Sequence, residues 1–143
     1  MNPVPLNYLA VLAAAVASMV IGFLWYGPLF GKYWMELMGI TTEKMNAAKA
    51  KGGMGPYYAL AFVGSLVMSF VLAHSLVFAS EYLHITGVVA GLQAGFWNWL
   101  GFVAPVTLGS VLWEGKSWKI WVLNNAHYVV SLCAMGVILA LWQ

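Results

Sequence analysis

The sequence predicts an all-α integral membrane protein, a four-helix bundle with both termini outside the cytoplasm, and three observations carry that expectation. Of its 143 residues 63% are hydrophobic and only 7% charged, with a mean hydropathy of +0.85, whereas soluble domains run about 25% charged. The apolar residues fall into four long runs, about Leu6–Phe30, Tyr57–Ser80, Gly87–Trp113 and Lys119–Trp142. Each run reaches the roughly 20 residues that a membrane helix needs. All six positive residues are lysines, and they gather beside alternate connections. One domain over residues 1–143 accounts for the whole chain.

The first run begins after Met1-Asn2-Pro3-Val4-Pro5, with no lysine or arginine before it. It is much longer than the hydrophobic region of a cleavable signal, so it is expected to stay as the first membrane helix. Pro28, near its end, removes a backbone hydrogen bond and would kink or terminate the helix. Connection one, Gly31 to Pro56, is the only long one; its Thr41–Lys51 stretch has the composition of a short amphipathic surface helix, stopped by Gly52, Gly53, Gly55 and Pro56. The second and third connections, Glu81–Thr86 and Glu114–Ser117, are tight, which makes helices 2, 3 and 4 antiparallel neighbours. Pro105 lies near the end of helix 3 and has the same expected effect as Pro28. Both prolines are either plain helix ends or the lining of a polar inner vestibule.

Orientation follows from Lys32, Lys44, Lys49, Lys51, Lys116 and Lys119, which all flank connections one and three. Cytoplasmic flanks hold the excess of positive charge, so those connections are placed inside a bacterial inner membrane. An aromatic belt of Trp25, Tyr26, Tyr33, Trp34, Tyr57, Tyr58, Trp113, Trp118 and Trp121 marks the same side. Gly22-Phe23-Leu24 leading to Pro28 and Gly31-Lys32-Tyr33-Trp34 has a counterpart in Gly101-Phe102-Val103 leading to Pro105 and Gly115-Lys116-Ser117-Trp118. That is either a parallel internal repeat or a chance likeness of two interfacial turns.

Helices in lipid associate through small residues and interhelical hydrogen bonds. Gly87, Gly91 and Gly95 form such a stripe on helix 3, Ala61, Ser65, Ser69 and Ala73 on helix 2, and Ala10, Ala14, Ser18 and Gly22 on helix 1. These faces pack either within the four-helix unit or between protomers.

Polar residues inside the runs are His74, Gln93, Asn98, Asn124, Asn125 and His127. On helix 4, Asn124, His127, Tyr128 and Ser131 fall at i, i+3, i+4 and i+7 and form one face. Together with Asn98 and Glu114 they are the candidate polar intramembrane site. The face is either an internal hydrogen-bond network or a contact for a ligand, ion or proton; Glu114 is either solvated or folded inward toward Asn124 and His127. Glu36 is a weaker candidate, with no polar partner nearby.

Several classes of function are excluded. A net charge of +2 without a basic patch argues against nucleic acid. His74 and His127 would lie roughly 13 Å apart in depth at about 1.5 Å per residue, too far for two axial ligands of one haem. Cys133 stands alone and is expected to pack. No phosphate loop, nucleophile elbow or paired intramembrane carboxylates are present, so neither a cofactor nor a catalytic site is expected.

Two blocks carry a family resemblance: Trp25-Tyr26-Gly27-Pro28-Leu29-Phe30-Gly31-Lys32-Tyr33-Trp34, and Gly101-Phe102-Val103-Ala104-Pro105 through Trp113-Glu114-Gly115-Lys116 to Asn124 and Tyr128. The chain resembles a family of small bacterial integral membrane proteins, domain of unknown function seventeen sixty-one. The resemblance implies a single four-helix membrane unit and brings no activity, ligand or site residue with it.

The leading expectation is a non-enzymatic inner-membrane protein in contact with the lipid bilayer. It acts as a helix-packing module that forms a homo-oligomer or joins a membrane complex. The alternative is a small oligomeric transporter or channel whose cytoplasm-facing cavity is lined by helices 3 and 4.

Overall fold

A computed structural model of the chain describes residues 4–142, all of them helix, turn or coil, with no strand among the described residues. Four helices are long and apolar enough to cross a membrane: Tyr8–Leu29, Gly55–Leu83, Gly87–Leu112 and Trp118–Leu141. The second is longer at both ends than the apolar run alone indicated, because Gly55 and Pro56 start it and Glu81 to Leu83 continue it.

α1 (Tyr8–Leu24) is capped by Asn7, whose side chain accepts from the Leu9 and Ala10 amides. The same side chain donates to the Trp142 carbonyl at 2.9 Å, which holds the two ends of the chain together. At its other end α1 runs into a π-helical turn, Trp25–Leu29. Pro28 has no amide to give to the carbonyl four residues back, and the Phe30 amide reaches five residues back to Trp25 O at 2.8 Å. Gly31 then opens α2 (Gly31–Met38), where a Cβ would stand 2.6 Å from Tyr26 O, so the tight exit from the π turn requires glycine. α3 (Thr42–Ala50) is capped by Thr41 and buries no residue. It forms where the composition places a helix, but its alanines and charges leave no buried apolar stripe.

α4 (Gly55–Leu83) ends at His84, in the left-handed conformation. α5 (Gly87–Asn98) leads through a second π turn, Trp99–Val103, into α6 (Ala104–Leu112), with Pro105 in its first turn. After a turn at Gly115, Ser117 caps α7 (Trp118–Leu141) by accepting from the Ile120 amide. Pro28 and Pro105 are both exposed.

α7 packs against α1, α4, α5 and α6 and is the hub of the bundle. Its closest partner is α5, where Gly91 and Gly95 meet Gly136 and Leu132 so tightly that a Cβ on Gly91 would collide with the Gly136 carbonyl. The glycine stripe therefore packs inside the four-helix unit. Gly87 has no part in that contact: it opens α5 at φ +64 with nothing near a would-be Cβ, and its need for glycine is conformational. Ser69 is fully buried and donates to Val11 O of α1 at 2.8 Å, with Ser65 buried one turn away. Ala61 stays exposed, so the small stripe of α4 begins at Ser65. Around these contacts Ala10, Ala14, Leu72, Leu76, Met135 and Leu139 form the core.

Candidate functional site

The polar residues of α7 lie on two faces, not one. At 3.6 residues per turn, Asn125, Leu132 and Gly136 share the face that meets α5. Asn124, His127, Tyr128 and Ser131 project about a quarter turn away, toward α1. The two adjacent asparagines therefore look into different interfaces.

Each is held by an aromatic side chain from one of the π turns. Tyr26, in the first turn, donates its hydroxyl to Asn124 Oδ1 at 2.9 Å. Trp99, in the second, donates its indole N–H to Asn125 Oδ1 at 3.0 Å. A π turn fits one extra residue into the helix and re-aims its side chains; here both turns bring an aromatic donor onto α7. Asn125, 3% exposed, also donates to Thr107 Oγ1 at 3.0 Å and to Trp121 O at 3.1 Å, so both amide protons are in use. Thr107 in turn donates to Val103 O at 2.8 Å, which ties α6 and the second π turn to the same amide.

His127 sits between Tyr26 and Tyr128, with ring centroids 5.0 and 5.4 Å away, and Trp25 at 6.0 Å. Gly22 of α1 lies against it, where a Cβ would come 3.4 Å from His127 Nε2. Nε2 pairs with Ser131 Oγ at 3.3 Å. His127 Nδ1, Trp25 Nε1 and Trp121 Nε1 are buried without a partner among the described residues. A buried polar atom left unpaired costs about 1–3 kcal/mol, so the rings around His127 and the Trp121 indole are the least satisfied parts of the bundle.

Two members of the predicted site lie elsewhere. Asn98 donates to Ala94 O at 2.8 Å and accepts from Ser75 Oγ of α4 at 3.4 Å, and it shares no partner with Asn124 or His127. Its position three residues after Gly95 puts it on the inner side of α5, but the polar group within reach there belongs to α4. Glu114 is exposed and pairs with Lys116 at 2.8 Å in the α6–α7 turn instead of folding toward Asn124. An exposed ion pair two residues apart adds little stability. His74 bonds Phe70 O in its own helix at 2.9 Å.

Sequence reasoning missed Tyr26, Trp99 and Thr107, and ranked Asn125 below Asn124. Asn125 had a readable signal in its seven- and eleven-residue spacing to Leu132 and Gly136. Tyr26 and Trp99 had none, because at a helix end near the interface an aromatic reads as part of the belt. The structure also changes the pairing of the two halves. The first π turn carries Trp25-Tyr26-Gly27 and the second Trp99-Leu100-Gly101, so the tryptophans and glycines correspond, whereas Pro28 lies inside its turn and Pro105 beyond its own.

No curated protein and no solved structure matches the chain. A family model does, over residues 9–140, which takes in both π turns and the whole α7 network. The chain therefore belongs to the family described as protein of unknown function (DUF1761).

Proposed function

We propose that this is a non-enzymatic multi-pass protein of the bacterial inner membrane, a compact helix-packing module that self-associates or serves within a larger membrane complex. The lysine-rich end, with α2, α3 and the α6–α7 turn, faces the cytoplasm, and both termini lie outside. One observation carries the reading: the asparagines of α7 are occupied by Tyr26, Trp99 and Thr107. Hydrogen bonds of this kind hold membrane helices together. The surface for association is the face of the third span that carries Val89, Leu92 and Phe96, all exposed and on the opposite side of the helix from Asn98.

The reading is tested by measuring stability and transport on the same variants. Asn124→Ala and His127→Ala are expected to lower the melting temperature in detergent, while liposomes containing the wild-type chain pass no ions or small solutes above the protein-free background. Solute flux that these substitutions alter without a loss of stability would replace this reading with a transporter whose pore runs along α7.

A further inference from the structure

α5 and α4 touch near the end of the bundle that carries Leu83 and Gly87, and then part. Between them lies a cleft of about 460 Å³, walled by Val67 and Val71 of α4, Phe102 of the second π turn and Leu132 of α7, with Ser75 and Asn98 as its polar groups. Small-molecule sites span about 300–1,000 Å³, mostly apolar with a few convergent polar groups. At about 1.5 Å per residue, Ser75 and Asn98 lie roughly 12 and 16 Å from the Leu83–Gly87 end. That is inside a hydrocarbon core about 30 Å thick.

The hydrogen-bonding capacity of this pair is not used up. Asn98 spends one Nδ2 proton on Ala94 O, and the other has no partner among the described residues. The bond from Ser75 Oγ, at 3.4 Å, is longer than the 2.5–3.0 Å usual for a hydroxyl donor. At this depth an unmet amide proton is costly, and the acyl chain of a lipid cannot meet it. An acyl chain has no acceptor there, whereas a ring carbonyl held in the cleft supplies one; a second copy, whose carbonyls and polar side chains could also accept, is the competing occupant that the cross-linking arm of the test detects.

The geometry points to a binding site for a membrane-dissolved molecule with a flat, carbonyl-bearing ring on an apolar tail, the chemistry of a quinone. The ring carbonyl accepts the free Asn98 proton, Phe102 offers an aromatic surface for offset stacking, and the valines and Leu132 line the open cleft along which the tail lies. The site shares no side chain with the Asn124 and Asn125 networks, so it stands or falls independently of the structural role of α7. The proposal concerns binding alone and includes no electron transfer.

The test is saturable binding of a decyl-tailed benzoquinone to the full chain in lipid nanodiscs, with a decyl-tailed benzene as the carbonyl-free control. The wild type is expected to bind the quinone at one site and the control at least about tenfold more weakly, the loss of one hydrogen bond in an apolar setting. Asn98→Leu is expected to weaken quinone binding about tenfold. Val71→Trp, which fills the cleft and leaves both polar side chains in the chain, is expected to abolish it; should Asn98→Leu fail to fold, Ser75→Val and Val71→Trp carry the comparison. No saturable binding to the wild type, equal binding of the two probes, or unchanged binding to Val71→Trp would each overturn the proposal. So would high-yield disulfide cross-linking of Met68→Cys between two copies in the membrane, which would show a second protomer covering the cleft.

Discussion

Asn125 uses every hydrogen-bonding atom of its amide at 3% exposure, and its truncation strands the Trp99 indole N–H, while the Thr107 hydroxyl loses the bond it accepts but keeps its own to Val103 O. Asn125→Ala is therefore expected to destabilise the protein by about 1–3 kcal/mol, chiefly from the indole N–H left without a partner, as read by thermal unfolding in detergent. Trp99→Phe keeps the ring and removes the N–H. Combining it with Asn125→Ala in a double-mutant cycle should give a coupling of about 1 kcal/mol; a coupling of zero would show that the indole bond contributes nothing. Tyr26→Phe removes one hydroxyl, which Asn124 can partly replace from the interface, so a smaller loss of about 0.5–1.5 kcal/mol is expected. Asn124, His127, Tyr128 and Ser131 were legible as one face because helical spacing is a property of the chain itself. Their partners Tyr26 and Gly22 come from about a hundred residues away, and no spacing reports that.

Among the elements, the α5–α7 contact is the most exacting. A Cβ on Gly91 or Gly136 meets the opposing backbone, not a side chain that could swing aside, so the helices have to separate to admit it. Gly91→Ala and Gly136→Ala are each expected to lower stability by more than 2 kcal/mol, on the scale of overpacking in a tight core. Gly101→Ala, with open space around it, should stay within about 0.5 kcal/mol. Equal effects at the three positions would show that α5 and α7 do not approach as closely as described. The π turns differ in where their proline falls. The first contains Pro28, whose missing amide the Phe30-to-Trp25 bond works around. Pro28→Ala restores that donor and is expected to let the turn tighten into α-helix, drawing Tyr26 away from Asn124. A lowered melting temperature that Tyr26→Phe does not lower further would be its signature.

Across the molecule, the lysines sit at the end where α2, α3 and the α6–α7 turn lie, and the two chain ends meet at the other through Asn7 and Trp142. Cysteine labelling of intact cells should find Lys49→Cys reachable only after permeabilisation and Tyr82→Cys reachable from outside. The reverse pattern would invert the proposed orientation while leaving every helix contact intact. The count of spans and the lysine asymmetry were plain in the sequence because both are compositional. The opening between α4 and α5 was not, since it arises from the way α5 leans on α7 through its glycines and turns at Trp99–Val103.

The sequence by itself determined that this chain forms four membrane-length helices, where they begin and end to within a few residues, and which stripes of small and polar residues they carry. Hydrophobicity and helical periodicity act along the chain, so they can be read from it. Only the tertiary structure decided that Gly91 and Gly95 face Gly136, that Asn124 and Asn125 serve different neighbours, that Asn98 belongs with Ser75, and that Glu114 remains at the surface. Those outcomes depend on the extra residue in each π turn and on how far each helix is rotated about its own axis, which contacts between helices set.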